Sequence, residues 1–190
     1  MYRCITLLML EQDIEIDELE KVSELLFNTK IYFKQIDKVQ RTYINGRDVT
    51  DEIRFPRISD YVSEVSTISS VRKKLVEQQR QYLEENNLVM DGRDIGTVVF
   101  PHAQLKIFLT ASPEIRAHRR YAELQDKGVE IDYESVLANL MKRDRIDSSR
   151  FDSPLKKATD AIELDNTEMS IDDMVNQVIS LLSKINTSQF

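Results

Sequence analysis

Val89-Met90-Asp91-Gly92-Arg93-Asp94-Ile95-Gly96-Thr97-Val98-Val99-Phe100-Pro101 is a short apolar run that ends in a carboxylate, turns on a glycine and then sets out an arginine and a second acid. Leu88 to Met90 reads as a buried strand. Asp91 then falls at the carboxyl end of that strand, where open α/β sheets bind their ligands. Gly92 and Gly96 allow a tight turn or a close approach to a ligand, and Arg93 brings a planar fork suited to phosphate. On spacing alone the run fits a strand, a turn and a surface ion pair equally well, because structural ion pairs also cluster acids and arginines.

Downstream, Leu105 to Thr110 predicts a second buried strand. Ser112 is set to cap a helix with Pro113 at its first position and Glu114 in its first turn, and Gly128 to close it. That helix carries Arg116, Arg119 and Arg120 at i, i+3 and i+4, on one face. A further helix from about Tyr133 aligns Arg143, Asp147 and Arg150, provided it persists that far. Arginines on two consecutive helices suit closure over a polyphosphate; salt-bridged surface helices fit the same pattern. Ala161 to Asp165 reads as a third strand. Ser170-x-x-Asp173 is a capping box that opens a helix turning Ile171, Met174, Val175, Val178 and Leu182 inward, with fraying from about Asn186. Strands alternating with helices from Leu88 onward mean a parallel α/β sheet.

Upstream, residues 2 to 10 predict a helix with no capping residue or turn ahead of Tyr2, an opening that leads us to expect further residues before it. Asp13 to Phe27 has helical spacing with an acidic, solvated face. From Lys30 to Asp51 the period changes to strands around an Asn45-Gly46 turn, a small antiparallel insert. Ile58 to Glu85 returns to helical spacing, broken near Ser69 and Ser70. Ser63 and Arg72 suit the inner face of these helices, although a capping serine and an exposed arginine satisfy the spacing as well.

The 190 residues suffice for one domain with a sizeable core, and a formal net charge of -7 argues against a nucleic-acid or anionic-membrane surface. The arginine clusters must serve something smaller. A single cysteine, Cys4, gives no disulfide framework and no cysteine-rich metal site, so Cys4 reads as a core residue and the expected compartment is the cytoplasm. The apolar run Ile5 to Leu10 is too short for a membrane span and has no cleavage-site pattern.

Taken in order, Asp91 to Pro101, Arg116-Ala117-His118-Arg119-Arg120, Arg143-Asp144-x-x-Asp147-x-x-Arg150, Pro154-Leu155 and Asp160-Ala161-x-x-Leu164-Asp165 resemble the bacterial cytidylate kinases. The resemblance runs from Met1, where Met1-Tyr2-Arg3 is similar to an internal family motif, to about Ile185. It implies an α/β fold of the P-loop nucleoside-monophosphate-kinase type: a parallel sheet with flanking helices and a small antiparallel β insert. Within a single kinase domain, 1–190, it implies a CMP-binding insert at 28–62 and a lid at 115–153. The departure lies in the phosphate cradle. The family opens with a strand and a glycine-rich loop whose backbone amides hold nucleotide phosphates, yet the chain's glycines are only Gly46, Gly92, Gly96 and Gly128. The resemblance thus implies an N-terminally incomplete domain without its first strand, P-loop, first helix and second strand, leaving a slot in the sheet.

The same resemblance implies an ATP-dependent phosphotransferase acting on CMP or dCMP, with ATP as donor, Mg2+ as metal and no direct protein ligand to it. It assigns Asp94, Arg72 and Ser63 to the cytosine edge, Arg3, Arg93 and Arg150 to the CMP phosphate, and Asp147 with Arg143 to the sugar hydroxyls. Asp91 would orient the incoming phosphate and the metal's water shell, and Arg116, Arg119 and Arg120 would face the ATP phosphates from the lid. Asp91, Arg93 and Arg150 form the implied catalytic set, in a monomer. His102 and His118 lie where no proton must move. A catalytically silent CMP-binding or scaffold protein is the alternative reading, since the acceptor-side residues are present and the donor cradle is not.

Overall fold

The computed structural model describes residues 1–85 and 87–187, and its chain packs as two compact units. The first comprises Met1–Leu88 together with Arg150–Asp152; the second comprises Val89–Ser149 and Ser153–Phe190.

The first unit is helical around a small sheet. Helix α1, Tyr2–Glu11, is apolar on most sides and is accordingly buried, with Cys4 and Leu7 fully inaccessible. Burial pushes the Cys4 thiol up from its ordinary value, as befits a core residue. Helix α2, Leu19–Phe27, begins later than its spacing suggests, because Asp13 takes a left-handed conformation (φ 50°) and ends the run. Glu18 then accepts a hydrogen bond from the Glu15 amide at 3.0 Å, and Ile16 and Leu19 are left exposed.

Strands β1 (Ile31–Ile36), β2 (Val39–Ile44) and β3 (Arg47–Asp48) form the expected antiparallel insert, in the order β1-β2-β3. Asn45 (φ 49°) and Gly46 (φ 92°) make the second turn, and Asn45 Oδ1 accepts from the Lys30 amide at 2.8 Å. The first turn is made by Asp37 and Lys38, both at positive φ. Helices α3 (Pro56–Val65) and α4 (Ser69–Glu85) follow, with the chain broken between them as predicted. Side chains of α1 to α4 and of the insert, among them Ile5, Val22, Ile31, Ile44, Ile58, Val71 and Leu75, share one apolar core.

The second unit carries the parallel sheet. Strand β4 (Ile107–Thr110) pairs with β5 (Ile162–Asp165) from Ile107↔Ile162 to Thr110↔Asp165. Helix α5 (Pro113–Asp126) is capped by Ser112, whose hydroxyl accepts from the Ile115 amide at 3.2 Å, and the chain leaves it through Gly128 at φ 70°. Helix α6 (Tyr133–Ser149) packs against it through Ala117, Leu124 and Val136, and the His118 ring stacks on Tyr133. That contact gives the His118 ring a part in packing. The capping box before α7 (Ile171–Thr187) forms as expected, Asp173 and Ser170 exchanging amide hydrogen bonds of 3.1 and 3.3 Å. Of the residues expected to fray, 188–190 lie outside the described residues.

Three expectations are corrected. Leu88 to Met90 forms no strand: it lies where the chain passes from one unit to the other, and Val89 is almost wholly exposed. A strand exists only by sharing a ladder, and among the described residues β4 and β5 pair only with each other. The apolar face of α7 is turned inward only in part: Ile171, Val175 and Leu182 are exposed, while Met174 and Val178 are half-buried. Helix α6 stops one residue short of Arg150, which packs with the first unit instead of continuing the helical face of Arg143 and Asp147.

Candidate functional site

In the first unit the break between α3 and α4 gathers three of the predicted residues. Ser63 on α3, Arg72 on α4 and Arg150 are all buried, so Arg72 is not the exposed arginine its spacing equally allowed. They meet at Ser66, the residue that follows α3. Its hydroxyl donates to the Ser63 carbonyl at 2.7 Å and accepts from Arg150 Nη1 at 3.0 Å, while its own carbonyl accepts from Arg72 Nη1 at 3.2 Å. The Arg72 guanidinium also lies 5.5 Å from the centroid of the Tyr2 ring, a cation-π distance. One residue outside the predicted set, Asp152, accepts from the Ser69 hydroxyl and anchors the Arg150–Asp152 segment further. Arg3, on α1, donates to the Ile53 carbonyl at 2.9 Å and to Ser59 Oγ at 3.1 Å. Ser66 was missed by the sequence reading; its signal was a second serine three positions after Ser63, at the point where helical spacing breaks.

In the second unit the opening stretch folds as a single π turn, Ile95–Val99, with Asp94 at its head. The Asp94 carbonyl accepts from the Val98 and Val99 amides at 2.8 and 3.2 Å, and the Ile95 carbonyl from the Phe100 amide at 2.7 Å. Such turns are rare and concentrate at functional sites. They hold a residue where regular helix would not, and here the residue so held is Asp94, only 4 % exposed. Gly92 is needed for close approach, but to Ile95: a Cβ at position 92 would meet Ile95 Cγ1 at 2.8 Å. Asp91 is exposed and makes no hydrogen bond or ion pair with the described residues.

Arg93 donates through Nε to Asp147 Oδ2 at 3.1 Å, half-exposed against a buried carboxylate. The ion pair that spacing left open is therefore present, and it joins two residues to which the resemblance gave a phosphate and a sugar. Arg143, partly buried on α6, has no hydrogen-bond partner for its Nε among the described residues. Burial, then the neighbouring Arg93, pull its guanidinium below its ordinary value, and Asp147 partly offsets them. A cation held with an unsatisfied donor in such surroundings is suited to receive an anionic or hydroxyl-bearing ligand.

The three arginines of α5 are each engaged. Arg116 donates to the Ala111 carbonyl at 3.0 Å and pairs with Asp144 at 2.8 Å. Arg120 pairs with Glu123 at 2.6 Å. Arg119 spans Asn166, Thr167 and Met169, donating to Asn166 Oδ1 at 3.0 Å and to the Asn166 carbonyl at 2.7 Å. Their geometry is that of helix-to-helix and helix-to-loop ties.

Helices around a small antiparallel sheet, a two-stranded parallel α/β unit, and buried arginines set on a serine are consistent with an α/β protein of the nucleoside-monophosphate-kinase type. The comparison with known families narrows this further: the family model described as cytidylate kinase matches residues 1–184. A cytidylate kinase of Fusobacterium nucleatum is 48 % identical over 185 residues, covering 97 % of this chain and 83 % of the relative. One of Carboxydothermus hydrogenoformans is 45 % identical over 186 residues (98 % and 84 %), and one of Caldicellulosiruptor bescii 43 % over 185 residues (97 % and 82 %). The chain belongs to the cytidylate kinase family. Among the described residues no helix is long and apolar enough to cross a membrane, and no group of three or more His, Cys, Asp or Glu side chains is placed to hold a metal ion.

Proposed function

We propose that this chain is a cytidylate kinase that binds CMP or dCMP and passes to it the γ-phosphoryl group of ATP, giving CDP or dCDP. The observation that carries the reading is the pair of buried arginines, Arg72 and Arg150, held on one serine beside Ser63. Guanidinium groups gathered beside serines suit both the phosphate and the polar base edge of a nucleoside monophosphate. Identity of 43 to 48 % along nearly the whole chain weighs against the silent scaffold.

In this reading the oxygen of the CMP phosphate attacks the γ-phosphorus, and the bond from that phosphorus to the β,γ-bridging oxygen breaks, leaving ADP. Phosphoryl transfer asks chiefly for positioning and for neutralisation of spreading charge, which converging guanidiniums supply. Arg3, Arg93 and Arg150 serve the CMP phosphate, and Asp147 with Arg143 the sugar. The Arg93–Asp147 pair then holds Arg93 near its post until ligand arrives. Asp94 accepts from the cytosine amine, with Arg72 and Ser63 on the rest of the base edge. Residues 28–62 act as the CMP-binding insert and 115–153 as the lid, from which Arg116, Arg119 and Arg120 reach toward ATP.

Mg2+, when bound with ATP, supplies charge neutralisation and a scaffold of ordered water. Such an ion would need few protein ligands, so the exposed Asp91, without a partner among the described residues, fits a contact through that water shell. The glycine-rich, lysine-bearing loop that cradles ATP in such kinases is not found in these 190 residues. They are therefore expected to bind CMP and to turn over ATP and CMP only in a protein that also carries such a loop; full turnover by the 190 residues alone would refute this division.

The reading is tested by titration calorimetry with CMP and UMP. Asp94→Asn puts an amide donor where only acceptors stood, so CMP binding should weaken and UMP, whose carbonyl accepts from that amide, should suffer less. A bond lost in a desolvated pocket is worth about 1 to 3 kcal/mol, so discrimination should shrink roughly tenfold or more. Equal loss for both nucleotides would remove Asp94 from base recognition.

A further inference from the structure

Ser66 is a residue to which nothing so far gives a role. It is 5 % exposed, sits in the three-residue break between α3 and α4, and its side chain has its hydrogen-bonding accounted for by two neighbours. The hydroxyl proton goes to the Ser63 carbonyl (2.7 Å) and an oxygen lone pair takes Arg150 Nη1 (3.0 Å). The orientation of the hydroxyl is thereby fixed: with its proton committed to Ser63, the oxygen faces Arg150 only as an acceptor. The Ser66 carbonyl, which takes Arg72 Nη1 at 3.2 Å, ties the second arginine to the same backbone position. Two long cationic side chains, each with several rotatable bonds, thus share one short residue as a hydrogen-bonding partner.

We propose that Ser66 is a positioning residue for the acceptor nucleotide: it aims Arg150, through its hydroxyl, at the CMP phosphate, and couples that arginine to Arg72 on the base edge. The inference rests on the kinase reading above and deepens it. Arginine loses rotamer freedom when a ligand orders it, and a side chain already ordered by a hydrogen bond loses less. The energetic role of Ser66 is to supply that ordering before CMP arrives. Being neutral, Ser66 adds that ordering without adding a charge of its own. Arg93, paired with Asp147, shows the other way of holding such a side chain.

The test is a double-mutant cycle read by titration calorimetry of CMP into the full 190-residue chain, with a thermal melt of each variant. Ser66→Ala is expected to weaken CMP binding about tenfold, the low end for a hydrogen bond to a charged group. In an Arg150→Ala background the same substitution should cost less than about twofold, because the group it positions is gone. Ser66→Cys, near in shape but a poor acceptor for a guanidinium, should behave as Ser66→Ala does and gives the same reading should the alanine variant unfold. A tenfold loss that persists undiminished without Arg150, or no loss in either variant, overturns the positioning role. Failure of the unsubstituted chain to bind CMP overturns the kinase reading itself.

Discussion

The two units bury their apolar residues very differently. In the first, four helices and the insert close around a shared core in which Cys4, Leu7, Val22, Ile58 and Val71 have no accessible surface. In the second, the buried cluster is Ala117, Leu124 and Val136 between α5 and α6, while Leu109 on β4, Ile162 on β5 and Ile171, Val175, Ile179 and Leu182 on α7 are exposed. Helices satisfy their own backbones and need only one another's sides, so a helical unit can complete its core from local chain. A parallel sheet is stable when both faces and both edges are covered, and two strands of four residues offer little with which to do that. The lesson is that Ser63 and Arg72 rest on a broad shared core, whereas Arg143 and Asp147 rest on a helix pair closed by a much smaller apolar cluster.

The largest effect that bears on this contrast is a core truncation. Ile5→Ala removes a buried side chain from α1 and should lower stability by about 2 to 5 kcal/mol in urea unfolding. Ile179→Ala, on the exposed face of α7, should stay within about 0.5 kcal/mol. A comparable loss from Ile179→Ala would mean that the α7 face is covered in solution and the contrast is false.

Next in size is Arg119→Ala. The arginine spans acceptors on Asn166, Thr167 and Met169, so its loss should cost about 1 kcal/mol or a little more. Amide exchange should quicken at residues 166–169 and not in α1. Unchanged exchange there would show that the loop is held by other means.

A smaller effect is expected in the insert. Gly46 stands at φ 92°, and Gly46→Ala should cost about 1 kcal/mol although nothing lies within 4 Å of the added methyl. Lys38→Gly, at φ 64°, should by the same logic stabilise the hairpin slightly, and a decrease in melting temperature would contradict it.

The smallest concerns pH. Hydrogen bonds from Lys127 and Arg120 hold the Glu123 carboxyl down at about 2, against an ordinary value of 4.5. A depressed carboxylate contributes stability above its unfolded pKa and loses it as pH falls through the folded one, so this contribution should fade between about pH 4.5 and 2. Being largely exposed, the pair is worth only about a few tenths of a kcal/mol. Glu123→Gln should flatten the acid limb of the stability curve by that little; an unaltered limb would assign the acid sensitivity elsewhere.

What was legible in the sequence was local chemistry. Ser112-Pro113-Glu114 and Gly128 marked the ends of α5, and Ser170 with Asp173 the start of α7, because caps are satisfied within a few residues of themselves. Asn45-Gly46 was legible for the same reason. The Asp37-Lys38 turn was not, since it demands positive φ from residues that do not advertise it. Periodicity told that α7 has an apolar face but not what, if anything, lies on it. Leu88 to Met90 had the composition of a strand, yet pairing is settled by neighbours rather than by composition. The π turn at Ile95–Val99 has no pattern of its own, and so the sequence pointed to Asp94 without showing how it is held. Motif order carried most of the candidate residues by resemblance; Ser66 belongs to none of the motifs, and its part lies in the two arginines that bond to it across the fold.

The Arg119 contacts also constrain any mechanical motion of residues 115–153. Asn166 to Met169 lead directly from β5 into α7, so Arg119 works as a rivet between α5 and the base of the C-terminal helix. A flap pivoting ahead of that rivet would have to drag α7 with it or shear several hydrogen bonds on every stroke. Any movement of the chain beyond α5 that leaves these bonds whole must therefore flex on the carboxyl side of Arg119.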